Sequence, residues 1–170
     1  MSQQPSNGYI TPFKLARQEQ HLTGVVSFQE MDRLREYLVS GDGKASYDIL
    51  FGVDEGRTYF AKGCARAVLQ MECQRCSQVM SLNVEADINV AFVTSEQQAG
   101  RVSDGYEPCV VEDERLRLSC LIEDELILAL PIVATHEDTN CQSWFRENSE
   151  PELVKTQKDN PFAVLAALKK

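Results

Sequence analysis

Three stretches of the chain alternate apolar and polar residues with a period of two, the mark of strands with one buried face. Ala45, Tyr47, Ile49, Phe51 and Val53 are interleaved with Ser46, Asp48, Leu50 and Gly52. After the turn Asp54-Glu55-Gly56, the residues Tyr59, Ala61, Gly63, Ala65, Ala67, Leu69 and Met71 fall on one side. The small residues in this second run predict a close approach by another element. Leu82, Val84, Ala86, Ile88, Val90 and Phe92 then alternate with Asn83, Glu85, Asp87 and Asn89. In sequence order these runs predict an antiparallel sheet with one wet face, built as hairpins.

Two stretches carry a helical period instead. Ser27-Phe28-Gln29-Glu30 reads as a capping box, with Val26 and Met31 placed as a hydrophobic staple. Phe28, Met31, Leu34 and Leu38 recur at helical spacing until Ser40-Gly41-Asp42-Gly43 stops them. Further on, Ser119 is placed as an N-cap, and Glu123, Asp124 and Glu125 follow early in the helix. Leu118, Leu121, Ile122, Leu126, Ala129 and Leu130 form its apolar stripe, and Pro131 ends it. Around these elements, residues 20–25 read as extended, 94–108 as a long polar loop and Cys109-Val110-Val111 as a short strand.

The expected fold is therefore α+β: an antiparallel β-sheet core with a Cys-x-x-Cys hairpin knuckle, two main helices and a flexible acidic C-terminal tail. Residues 1–8 are expected to be disordered, 9–136 to form a single α+β domain, and 137–170 to be the tail, ending in a short amphipathic segment from Asn160.

Composition narrows the function. Hydrophobic residues make up 43% of the 170, enough for a core. No apolar run is long enough to cross a membrane, and the N-terminal stretch lacks the basic and apolar segments of a secretory signal. A cytoplasmic protein is expected, where thiols stay reduced, and this weighs against disulfides among the six cysteines. The net charge of −9, with acids concentrated toward the C-terminus, repels nucleic acid unless a local basic patch outweighs it.

The densest chemistry lies in Glu72-Cys73-Gln74-Arg75-Cys76, between two strand runs. A Cys-x-x-Cys pair serves as half of a zinc site, a redox pair or a disulfide. His136 and Cys141 offer a second half, giving a Cys₃His set of Cys73, Cys76, His136 and Cys141 for one structural zinc ion. The long separation between the halves leaves open reduced thiols beside a surface histidine. Redox work is disfavoured because a thioredoxin-type pair opens a helix, whereas strand-forming residues follow this one. Cys64, Cys109 and Cys120 read as small hydrophobes, His21 as a surface residue, and Glu123-Asp124-Glu125 as a solvated face. No phosphate loop, dinucleotide fingerprint, zincin motif or nucleophile elbow is present, so no enzyme activity is expected. Arg75 would present a basic tip to phosphate or carboxylate, and Phe162 and Leu165 would dock on a partner.

Several segments in combination resemble the YceD family of bacterial large ribosomal RNA subunit accumulation proteins. They are Glu72-Cys73-Gln74-Arg75-Cys76, then Tyr106-Glu107-Pro108, then Ile122-Glu123-Asp124-Glu125-Leu126-Ile127-Leu128-Ala129-Leu130-Pro131-Ile132-Val133, and Asn160-Pro161-Phe162-Ala163-Val164-Leu165. Pro12-Phe13-Lys14-Leu15-Ala16, Leu22 and Gly24 also fit. The resemblance implies a role in the synthesis, processing or accumulation of 23S ribosomal RNA. Some members of that family carry a second Cys-x-x-Cys near the C-terminus; this chain has His136 and Cys141 at the corresponding place. The function expected is a non-enzymatic ribosome-biogenesis factor whose partner is precursor ribosomal RNA, a large-subunit protein or an assembly factor, with no membrane and no small-molecule substrate. The alternative is an adaptor acting on another assembly factor or a nuclease without touching RNA.

Overall fold

The alternating runs become the three long strands of a five-stranded sheet. The computed structural model describes residues 8–111, 113–137 and Cys141. The chain divides into two units, Met1–Glu137 and Asp138–Lys170, and the first carries every element described. In order these are β1 (Tyr9–Ile10), α1 (Pro12–Arg17), β2 (His21–Ser27), a 3-10 turn (Phe28–Glu30) and α2 (Asp32–Arg35). Then come β3 (Lys44–Val53), β4 (Tyr59–Glu72), β5 (Val79–Val93), α3 (Glu96–Ala99), β6 (Glu107–Val110), β7 (Leu116–Arg117) and α4 (Leu118–Leu128). Of the second unit only Cys141 is described, so the expected tail and its amphipathic end, like residues 1–7, lie outside the described residues.

The large sheet runs β2-β3-β4-β5-β6, and β1 pairs with β7 in a separate two-stranded ribbon. Strands β2 to β5 are antiparallel neighbours, but β6 lies parallel to β5, so the sheet is mixed and not purely antiparallel. Alternation reports which side chains are buried and carries no information on strand direction. Pro108 is compatible with this pairing because β6 is an edge strand and has no outer neighbour to receive an N–H. The small residues expected at a close approach meet the neighbouring backbone: a Cβ on Gly63 would collide with the Asp48 carbonyl of β3.

One face of the sheet is dry. Tyr47, Ile49 and Phe51 of β3, Ala61, Ala65 and Leu69 of β4, and Ala86, Ile88, Val90 and Phe92 of β5 are buried there. Phe51 stacks on Phe92 with centroids 6.0 Å apart. Helix α1 packs on β3 and β4, and α4 packs on β4 and β5. Helix α4 contributes Leu118, Leu121, Ile122 and Leu126, each fully or nearly fully buried and each worth about 1.5–3 kcal/mol of apolar transfer. The other face carries solvent-facing pairs, including Arg66–Glu85 at 2.6 Å and His21–Asp48 at 2.6 Å.

Among the described residues, only α4 extends beyond two turns. The expected helix from Phe28 to Leu38 is instead a 3-10 turn followed by the single-turn α2. Ser27 accepts from Gln29 N–H, and α2, whose N-cap Met31 makes no side-chain cap, is capped by a distant glutamate. Glu123 Oε1, from α4, accepts from the backbone N–H groups of Arg33 at 2.7 Å and Leu34 at 3.0 Å, while Oε2 takes Arg33 Nη2 at 3.0 Å. The acidic triplet is thus not a solvated face: Glu123 and Glu125 are buried, and Asp124 alone is exposed, pairing with Arg33 at 2.6 Å. Nor does Ser119 cap α4. The N-cap is Arg117, and the Ser119 hydroxyl is buried without a hydrogen-bond partner among the described residues.

Candidate metal centre

The turn that joins β4 to β5 carries both cysteines of the Cys-x-x-Cys pair. The strands pair out to Glu72↔Val79, and the six residues between them close on themselves. Cys73 N–H donates to Gln78 O at 2.9 Å, and Ser77 N–H donates to Cys73 O at 2.8 Å. Ser77 takes the left-handed conformation, with φ of 56°, that lets so short a turn reverse. Cys73 and Cys76 are both buried, and neither is in a disulfide.

The segment after α4 returns to this turn. Pro131 follows the helix, and Ala134, itself buried, accepts from Gln74 N–H at 2.8 Å. That bond brings His136 against the turn, with Nδ1 3.5 Å from Cys76 Sγ. Two ligands bound to zinc at 2.3 Å (sulfur) and about 2.05 Å (imidazole nitrogen) in a tetrahedron stand about 3.6 Å apart. The Cys76–His136 separation matches that spacing. The ligand atoms of Cys73, Cys76 and His136 lie within 4.8 Å of one another. Within the first unit, the described side chains placed to hold a metal ion together are Cys73, Cys76 and His136; Cys141, half-buried, belongs to the second unit.

Electrostatics favour a thiolate at the centre of this arrangement. Burial pushes the Cys73 thiol up, but the backbone N–H groups of His136, Arg75 and Cys76, with the Cys76 thiol, bring it down from 9.0 to about 6. Amide hydrogens aimed at sulfur stabilise the anion that a metal would bind. Two thiols and an imidazole are the soft and borderline donors that zinc prefers. The donor set therefore fits a structural zinc ion, and it fits a redox pair less well, since no helix follows Cys76.

The remaining candidates separate from this group. Arg75 is half-buried and its own backbone N–H points at Cys73 sulfur. Phe162 and Leu165 lie outside the described residues. Burial, and then the charges of Asp124 and Glu125, push the Cys109 thiol up to about 11, where it is inert. The residue that sequence reasoning passed over is Glu123. Its signal was present in the motif Ile122-Glu123-Asp124-Glu125-Leu126, where a carboxylate sits between two stripe residues on the apolar side.

The family model for the large ribosomal RNA subunit accumulation protein YceD matches residues 61–169. The chain is also 32% identical, over 165 residues and 94% of each sequence, to the large ribosomal RNA subunit accumulation protein YceD of Haemophilus influenzae. No solved structure matches it.

Proposed function

The chain belongs to the YceD family of large ribosomal RNA subunit accumulation proteins, and on that premise we propose that it is a non-enzymatic cytoplasmic factor in building the large ribosomal subunit. It acts in the synthesis, processing or accumulation of 23S ribosomal RNA, as a docking protein without turnover. The observation that carries this reading is the match along nearly the whole length of a relative named for large-subunit RNA accumulation. The convergence of Cys73, Cys76 and His136 adds a physical component. The Gln74–Ala134 backbone hydrogen bond joins two segments distant in sequence at this end of the β4–β5 hairpin. A closed site of this donor type holds shape and leaves no position for a substrate.

In this reading Cys73, Cys76 and His136 hold one zinc ion and Cys141 is the fourth ligand. Bound zinc would tie the post-helix segment to the hairpin and contribute folding free energy. Arg75 in the turn, and Phe162 and Leu165 near the C-terminus, are the residues assigned to partner contact. The acidic body suits a basic partner such as a ribosomal protein.

Sedimentation tests the role. Tagged protein in a low-salt gradient is expected to travel with immature large subunits. If it stays at the top while such precursors accumulate, direct association is wrong. Recovery of a crosslinked assembly protein with no RNA adduct would turn the reading toward an adaptor.

A further inference from the structure

The end of the β4–β5 hairpin away from the cysteines is built quite differently. Tyr59, paired with Phe92, lies 13 residues along β4 from Glu72, about 43 Å at strand rise. There a cleft of about 880 Å³ is lined by Phe13, Lys14 and Arg17 of α1, Arg57 of the β3–β4 connection, Tyr59 at the start of β4, and Arg101 after α3. Among the described residues, four cations and one carboxylate, Glu114, face this space on a chain whose net charge is −9. The sequence hid the cluster because three separate segments supply it.

The cations are displayed, not consumed. Lys14, Arg57 and Arg101 are exposed, and among the described residues none of them forms an ion pair. Arg57 is held in the left-handed region at φ 64°, with its N–H on Asp54 O at 3.0 Å, in a turn where Asp54 Oδ1 also takes Thr58 N–H at 2.8 Å. A bulky residue in that region is uncommon and is kept there by the surrounding turn. Arg17 is positioned by an aromatic partner: its guanidinium carbon sits 5.4 Å from the Tyr59 ring centre, and Nε donates to Tyr59 Oη at 3.3 Å. Phe13 meets Tyr59 edge-on, with centroids 5.2 Å apart.

We infer that this cleft binds the backbone of single-stranded RNA, its cations neutralising phosphates while Phe13, Tyr59 and the Arg17 guanidinium offer surfaces to the bases. Cations interleaved with half-buried aromatic side chains suit single-stranded nucleic acid, because phosphates need charge and bases need flat faces. An acidic peptide would use the charge and leave the rings idle. The net negative charge of the rest of the chain disfavours phosphate there and favours this end. The inference rests on the proposed ribosomal role and names the surface through which the chain would contact precursor RNA.

The test compares the full chain with its Lys14→Gln/Arg57→Gln variant in filter binding to poly(U) and to single-stranded 23S fragments across a salt series. Both side chains are exposed without ion pairs, so the fold is retained, and a thermal melt verifies it. Four phosphate contacts give a slope of log affinity against log salt of about −2.8. The variant is expected to lose about 1.4 of that slope and on the order of tenfold in affinity at low salt. Equal binding by the two proteins overturns the cleft, as does displacement of RNA by polyglutamate as readily as by poly(U). Gradient sedimentation of wild type, run in parallel, keeps the two ideas apart. Co-sedimentation with precursors alongside variant binding equal to wild type removes the cleft and leaves the role. Salt-sensitive, variant-sensitive RNA binding without co-sedimentation removes the role and leaves the cleft.

Discussion

Glu123 is the single side chain on which the union of α4 with the first half of the chain depends most. Its carboxylate takes two backbone N–H groups at the start of α2 and the Arg33 guanidinium, and its side chain is only 4% exposed. Hydrogen bonds to an ionised acceptor contribute about 1.5–3 kcal/mol each, and a buried N–H left without a partner costs about 1–3 kcal/mol. Truncation by Glu123→Ala removes all three bonds and strands the buried Leu34 N–H, so a loss of about 3–4 kcal/mol is expected after allowing for non-additivity. Glu123→Gln keeps one acceptor oxygen and gives up the charge, for about 1–2 kcal/mol. In a unit of this size the alanine variant should melt roughly 10–15 °C lower. Asp124→Ala is the internal control: it breaks an exposed pair with the same arginine and should cost no more than about 1 kcal/mol. Urea unfolding of the three variants measures the set. If Glu123→Ala costs no more than Asp124→Ala, the carboxylate is not the lock described.

Glu125 should make stability depend on pH. Burial first, then the charges of Glu107 and Asp124, raise its carboxyl from 4.5 to about 7. The folded state favours the neutral acid, so its contribution is complete below pH 4.5, declines as pH rises and is gone above about 7. Full burial would make this about 3.4 kcal/mol, and partial solvent access reduces it to about 1–2 kcal/mol. Glu125→Gln should remove that slope between pH 4.5 and 7 in urea titrations; an unchanged slope would assign it elsewhere. Gly63→Ala drives a Cβ into the Asp48 carbonyl and should cost about 2–4 kcal/mol, whereas Gly105→Ala, with open space around it, should be near neutral by thermal melt. Elemental analysis of protein purified without chelator should give about one zinc per chain, falling to near zero in Cys73→Ser or His136→Ala. A wild-type value near zero would leave these thiols as packing residues.

Period-two alternation made β3, β4 and β5 legible because each buries a single face and side-chain direction follows the pleat. The same logic could not orient β6, since parallel and antiparallel neighbours bury the same residues. Helix α1 escaped because six residues with a proline at the start are too few for a helical period to emerge. The helix expected from Phe28 failed for a different reason: the chain starts a new helix at α2, capped by Glu123, 90 residues from Arg33, and local spacing does not report such a partner. That distant partner also explains why three adjacent carboxylates looked solvated when two are buried. Cys73, Cys76 and His136 were readable as donors from residue type. Their convergence depends on the Gln74–Ala134 backbone bond, which no motif announces. The cations at the far end of the hairpin were invisible singly, because each is an ordinary surface residue until the turns assemble them.

Ultraviolet crosslinking in growing cells, with both RNA and protein adducts identified by mass, addresses the functional claim most directly. Adducts to precursor 23S ribosomal RNA are expected on peptides from α1, the β3–β4 turn and the loop around Arg101. Adducts to proteins alone, with no ribosomal RNA on any peptide, would contradict that claim.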